Sequence, residues 1–266
     1  MLNNKIALMS DFGNDSHYVG IMKGVISNLS PESQIIDICH SIIPQNIKQA
    51  AFILRESFSF FPVGTVFCCV VDPGVGSIRK PLVVRTNRYA FVVPDNGILS
   101  YCIDEFDEYS IFIPDEKYFL KNMSFTFHGR DVFAPLSAYV ARGERIEGEI
   151  IWNKDIVLLE DIKENISNDS IDGELVYTDH FGNIISSIQK STILKLLQND
   201  NIYDCKIVVF INQIRINGIS RTYSEVDIGE FIAYIGSSDY LEVGIRNGNA
   251  ISKIKQIDNI KVIITK

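Results

Sequence analysis

The sequence has little of what would mark several broad classes of protein. Lys and Arg number 25 against 33 Asp and Glu, a formal charge of −8. No excess of cations is available to neutralise a phosphate backbone, so nucleic acid is not an expected partner. The same field does not oppose a cationic small molecule. No apolar run approaches the ~20 residues needed to span a bilayer, so no membrane partner is expected. The opening MLNNKIALMSDFG offers an apolar stretch of about five residues, short of a signal h-region, and the expected compartment is the cytoplasm. The five cysteines (Cys39, Cys68, Cys69, Cys102, Cys205) include no C-x-x-C pair. That removes zinc-ribbon and dithiol-redox readings and leaves buried free thiols. Asp and His donors are numerous enough for a one- or two-metal hydrolase, but H-x-x-x-H, H-x-H and D-x-D pairs are all missing. No metal is therefore expected.

What is present is ordinary globular composition over 266 residues, 46% hydrophobic and 22% charged, enough for one large domain or two smaller ones. The first part alternates strand and helix patterns: strands at 5–10, 34–39, 65–71, 82–86 and 90–93, and helices at 17–29, 47–60, from about 97, and 132–141. The continuously apolar strand 65–71 suits a sheet covered on both faces. Repeated strand–helix–strand units predict a mostly parallel central sheet, an α/β domain over residues 1–160. Residues 161–172 (DIKENISNDSID) are polar and lack an apolar face, which predicts a linker. From 173 to 266, short strands at 174–178, 206–211, 214–216, 231–235, 240–245 and 260–265 are separated by Gly, Asn, Asp and Ser. One helix is expected there, at 191–197. That spacing predicts a small antiparallel barrel or sandwich.

The chemistry gathers after the first strands. They end at Asp11, His40, Asp72 and Pro94-Asp95-Asn96, and in open α/β sheets the carboxyl edge is where ligands bind. Any one of these residues alone suits a turn or a helix cap. In Val71-Asp72-Pro73-Gly74-Val75-Gly76-Ser77-Ile78-Arg79, Pro73 and the glycines make a stiff loop that fixes Asp72 and lets backbone approach a ligand. Gly74-x-Gly76 lacks the third glycine of a dinucleotide fingerprint and the Gly-Lys-Ser/Thr of a P-loop. Asp11-Phe12-Gly13 resembles a kinase metal motif without its accompanying elements. In Thr126-Phe127-His128-Gly129-Arg130-Asp131, Asp131 suits a helix N-terminus, and His128 stands just outside the helix, either structural or facing a ligand.

Together with Ser10-Asp11-Phe12-Gly13, Asp37-Ile38-Cys39-His40 with Pro44, Pro94-Asp95-Asn96-Gly97, Asp179-His180-Phe181-Gly182-Asn183, and Gly236-Ser237-Ser238 followed by Tyr240-Leu241-Glu242, these segments resemble, in order and spacing, the S-adenosylmethionine (SAM) hydroxide adenosyltransferases. That family is related to the fluorinating and chlorinating enzymes that use the same substrate. The resemblance implies attack of hydroxide on the ribose C5′ of SAM, releasing adenosine and L-methionine, with no cofactor. It implies an N-terminal α/β domain, a C-terminal β-barrel, and a homotrimer with sites at subunit interfaces. Asp72, Arg79 and His128 would surround the water, with either Asp72 or His128 taking its proton. Asp11 would hold the ribose hydroxyls, Asp179 the methionine ammonium, and Asn183 the adenine. Phe181 would wall the methionyl chain, Tyr223 would stack on adenine, and Ser237, Ser238 and Glu242 would surround the amino-acid end. For Phe181 and Tyr223, plain core packing is the alternative.

The halogenating relatives carry Tyr at the Asp72 position, Tyr-Ser at His128-Gly129, and Trp where Gln45 stands. A carboxylate at position 72 would repel a halide by on the order of a few kcal/mol at an effective dielectric near 20. Hydroxide is therefore the expected nucleophile, with halide-dependent cleavage and a non-catalytic SAM or adenosine sensor as alternatives.

Overall fold

Strands β1 (Lys5–Ser10), β3 (Val66–Val70) and β5 (Ala90–Pro94) are buried along nearly their whole length, because helices cover both faces of the sheet they form. In the computed structural model, which describes residues 4–152, 155–160, 162–254 and 256–264, successive side chains alternate between those faces. Ala7, Met9, Phe67, Cys69 and Phe91 go to one face, where α2 (Ile47–Phe58) packs through Ala50, Leu54 and Phe58. Ile6, Leu8, Val66, Cys68 and Val92 go to the other. There α1 (His17–Leu29) and α3 (Ala134–Ala141) bring Met22, Ile26, Leu136 and Val140.

With β2 (Gln34–Cys39), β4 (Pro81–Thr86), β6 (Tyr109–Pro114) and β7 (Gly148–Ile151), the sheet order is β2-β1-β3-β5-β4-β6-β7. Pairing is parallel through β2-β1-β3-β5, as the strand–helix alternation anticipates. It is antiparallel from β5 to β7, so the sheet is mixed; β6 and β7 are not signalled by the sequence pattern. No α-helix forms from Gly97. Gly97 takes φ +98°, and the Asn96 and Ser100 side chains bond the local backbone instead. The expected 132–141 helix starts earlier, through a π-helical turn at Gly129–Phe133 that runs into α3.

Since α1 lies on one face and α2 on the other, the chain reverses its winding between β1 and β3. The crevice beyond their carboxyl ends is the topological switch point, where α/β sheets bind ligands. Asp11 directly follows β1, and Asp72 follows β3 by one intervening residue.

The chain divides into two units, residues 1–160 and 161–266. The second contains a sheet of β8 (Glu164–Ile166), β9 (Ser170–Gly173), β12 (Ile207–Ile211), β13 (Ile214–Asn217) and β16 (Ile260–Ile264), and another of β10 (Leu175–Thr178), β11 (Ile184–Gln189), β14 (Phe231–Ile235) and β15 (Tyr240–Ile245). All their pairings are antiparallel. Ile171, Ile188, Val209, Leu241 and Val262 share one core. The helix expected at 191–197 is α4 (Lys190–Leu197), and a short α5 (Ala250–Ile254) joins it.

The linker reading of 161–172 is corrected. Residue 161 lies outside the described residues, but β8 and β9 form a hairpin that extends the sheet through β16. Ile171 turns fully inward, while Asp172 turns outward to Lys261 at 3.0 Å. An edge hairpin that buries so little needs no apolar run. No helix among the described residues is long and apolar enough to cross a membrane.

Candidate active site

The loop after β3 folds back on itself. Asn96 Nδ2 donates to Val71 O at 2.8 Å and holds the strand end. Val75 N–H then bonds Asp72 O, and Ser77 N–H and Oγ both bond Gly74 O. These turns return Arg79 to Asp72. Arg79 Nε donates to Asp72 Oδ1 at 3.0 Å and Nη2 to Oδ2 at 2.5 Å, a bidentate fork. The same Nη2 lies 3.1 Å from His128 Nδ1, and the guanidinium sits 5.2 Å above the Phe133 ring. Gly76 makes this closure possible. At φ +76°, a Cβ would stand 2.5 Å from Phe125 O, so only glycine lets the loop rest against the segment that carries His128.

Protonation follows from the contacts. A guanidinium only donates, so His128 Nδ1 accepts and the ring proton resides on Nε2. That nitrogen is buried and has no hydrogen-bond partner among the described residues. Burial, reinforced by the Arg79 cation, pushes His128 below its ordinary pKa and keeps the ring neutral. Burial also pushes the Asp72 carboxyl above its ordinary value, against the opposing pull of Arg79. The result is a carboxylate of increased basicity, a cation, and an N–H donor left open. An unpaired buried donor costs about 1–3 kcal/mol; His40 Nε2 is the other such atom among the described residues.

Asp72 is therefore not an isolated charge, and the repulsion of a halide expected from the sequence is largely offset by Arg79.

The other carboxyl-edge residues divide their work. Asp11 accepts the backbone N–H of Gln45 at 2.8 Å, with Gln45 itself at φ +68°. Asp95 accepts Val157 N–H at 2.8 Å. Asp131, 1% exposed, is forked by Arg130 and takes Ser124 N–H; it lies within the π-helical turn and braces the His128 segment. Among the described residues no three His, Cys, Asp or Glu side chains converge as a metal site would require.

In the second unit, Asp179 accepts both the backbone N–H and the side-chain Nδ2 of Asn183, each at 2.8 Å. This fixes the amide and turns Asn183 Oδ1 toward Gly244, where a Cβ would lie 2.5 Å from it. Tyr223 donates to Tyr234 at 2.6 Å, and Tyr234 to Glu242 Oε2 at 2.6 Å. Burial first, then the nearby Asp179 charge, holds the Glu242 carboxyl above its ordinary value against the Tyr234 bond. Neither carboxylate has a Lys or Arg partner among the described residues. Phe181 is 74% exposed and Tyr223 38%, so core packing explains neither. Ser237 and Ser238 occupy the β14–β15 turn, outside this hydrogen-bonded chain.

Three contributors escaped the sequence reading. Phe133 beneath Arg79 looks like any helix core residue. Tyr234 alternates with apolar neighbours like an ordinary strand tyrosine. Gly244 carries no signal at all in a strand until its neighbours are known.

Comparison with known proteins gives the family. The SAM hydroxide adenosyltransferase N-terminal domain matches residues 6–149 and the corresponding C-terminal domain residues 173–258. The (R)-S-adenosyl-L-methionine hydrolase of Methanocaldococcus jannaschii is 32% identical, over 97% of this chain and 95% of that protein. A fluorinase of Nocardia brasiliensis is 26% identical, over 93% and 91%. The crystal structure of an uncharacterized conserved protein from Thermotoga maritima superposes with a TM-score of 0.88 at 33% identity, covering 97% of this chain and 99% of that one. With both domains matched across most of its length, the chain belongs to the SAM hydroxide adenosyltransferase family.

Proposed function

We propose that this protein hydrolyses SAM to adenosine and L-methionine. The reading rests on one observation above all: a neutral His128 whose buried Nε2–H has no partner, set beside the Asp72–Arg79 fork. A water oxygen accepts from Nε2–H and loses its proton to Asp72 as it attacks C5′ from about 3–3.5 Å. The O–C5′ bond forms, the C5′–S bond breaks, and its electron pair stays on sulfur to give neutral methionine. Arg79 stabilises the negative charge that develops on the oxygen. The sulfonium needs no acid to leave, and the reaction calls for neither metal nor other cofactor.

Asp11 is assigned to the ribose hydroxyls, Asn183 and Tyr223 to adenine, and Phe181 to the methionyl chain. Asp179, Glu242, Ser237 and Ser238 are assigned to the amino-acid end. Two carboxylates lacking a cation support an ammonium there. The relative's name specifies R, and since L already fixes the methionine α-carbon, R describes the sulfonium; we extend that preference to this chain. A cytoplasmic homotrimer, with the two C-terminal sheets as halves of a barrel, completes the proposal. Light scattering should return three times the 30.0 kDa chain mass.

The decisive experiment is incubation with each sulfonium epimer in ¹⁸O-water. Adenosine labelled at its 5′ oxygen, with unlabelled methionine, is expected from the R form and survives chelation. Tight binding without adenosine would identify a sensor instead, and 5′-halo-5′-deoxyadenosine in the presence of halide a halogenase.

A further inference from the structure

A second polar array lies outside the Asp72–Arg79–His128 group, at the carboxyl ends of β1 and β2. Ser10 Oγ is 2.7 Å from His40 Nδ1. His40 Nε2 lies 3.1 Å from Asp37 Oδ1 in a bent contact, and Asp37 Oδ2 accepts from Lys23 Nζ at 2.6 Å. Phe12 N–H approaches Ser10 Oγ at 3.4 Å. The serine O–H donates to Nδ1 and Oγ receives Phe12 N–H, which puts the ring proton on Nε2; it faces the Asp37 carboxylate as an electrostatic contact too bent to be a hydrogen bond. The order Asp–His–Ser is that of a nucleophilic triad. Ser10, however, is 1% exposed and His40 5%, so no substrate reaches the hydroxyl.

What the array does reach is Asp11. Its carboxylate lies between Ser10 and Phe12 in the chain, and the loop it occupies is stapled to the loop after β2. Gly13 N–H donates to His40 O at 2.8 Å, Asn14 Nδ2 to Ser41 Oγ at 2.8 Å, and Gln45 N–H to Asp11 Oδ2 at 2.8 Å. Ser10–His40 is the buried side-chain tie between the two loops. Its far end is anchored by an ion pair on the surface.

We infer that Ser10, His40 and Asp37 are positioning residues that hold Asp11 in register for a vicinal diol. The array fixes the direction of the Ser10 hydroxyl, Ser10 holds the Phe12 backbone, and the Asp11 carboxylate between them has one oxygen on Gln45 N–H and the other without a partner among the described residues. The inference rests on the assignment of Asp11 to the ribose hydroxyls.

Calorimetric binding of adenosine and of 2′,3′-dideoxyadenosine tests both together. Ser10→Ala and Asp37→Asn should each weaken adenosine by about 5- to 20-fold, the effect of a lost hydrogen bond, and change dideoxyadenosine less than twofold. Ser10→Ala added to Asp11→Ala should weaken adenosine no further. Equal losses for both ligands, or additive losses in the double variant, would mean general loosening and overturn the positioning role. Asp37→Asn, at a half-exposed surface position, keeps the test open should Ser10→Ala fold poorly. If Asp11→Ala itself weakens both ligands equally, the diol assignment fails, and the positioning role fails with it.

Discussion

At the scale of single residues, the direction of each hydrogen bond decides the chemistry. Arg79 can only donate, which makes His128 a donor at Nε2; in the reaction proposed above, Asp72 is then the group that takes the proton. The pH dependence follows from Asp72. Its pKa is raised by burial, and the base must be ionised, so activity is present above that pKa and lost as pH falls through it. In kcat–pH profiles the acid limb should therefore lie above the ordinary carboxylate value of about 3.9. Asp72→Asn should abolish the limb and lower kcat by about 100-fold or more, with KM little changed. A limb that persists in Asp72→Asn assigns the proton elsewhere. Asp72 was marked in the sequence by its Pro-Gly loop and His128 by its place before a helix, but grouping them with Arg79 came only from the family resemblance; the structure brings the three side chains together. Which of them donates was not legible, because it depends on a contact between positions far apart in the chain.

At the scale of elements, the strands facing both layers were legible from their unbroken apolar runs, and α1, α2 and α4 from their periodicity. The elements that escaped bury too little to leave a pattern. β8–β9 is the clearest case: Ile171 is fully buried, whereas Ile166 one strand away is 57% exposed. Ile171→Ala should cost about 2–4 kcal/mol in urea unfolding, and Ile166→Ala less than about 0.5 kcal/mol. Equal small effects would return this stretch to the status of a linker. The missing helix after Gly97 has the opposite origin. Its composition permits a helix, but the left-handed Gly97 and the Asn96 and Ser100 side chains commit the backbone to turns.

At the scale of the whole molecule, charge and burial matter more than any one contact. The net charge of −8 attracts a substrate that is itself a net cation. Raising ionic strength should therefore lower kcat/KM while leaving kcat unchanged; the same dependence in both would deny any role for long-range attraction. The sheet's two-sided burial has a practical consequence as well. Adjacent Cys68 and Cys69 point into opposite layers, the first toward α1 and α3, the second, with Cys102, toward α2. Burial pushes the Cys68 thiol up to about 12 and the Cys69 thiol well above its ordinary value, so neither reacts while its layer stays closed. Cys39 and Cys205 are partly accessible. A thiol reagent should thus modify those two in the native protein and all five only after unfolding. Each face of the sheet carries its own built-in chemical clock, from which the opening rate of either layer can be timed without adding a label.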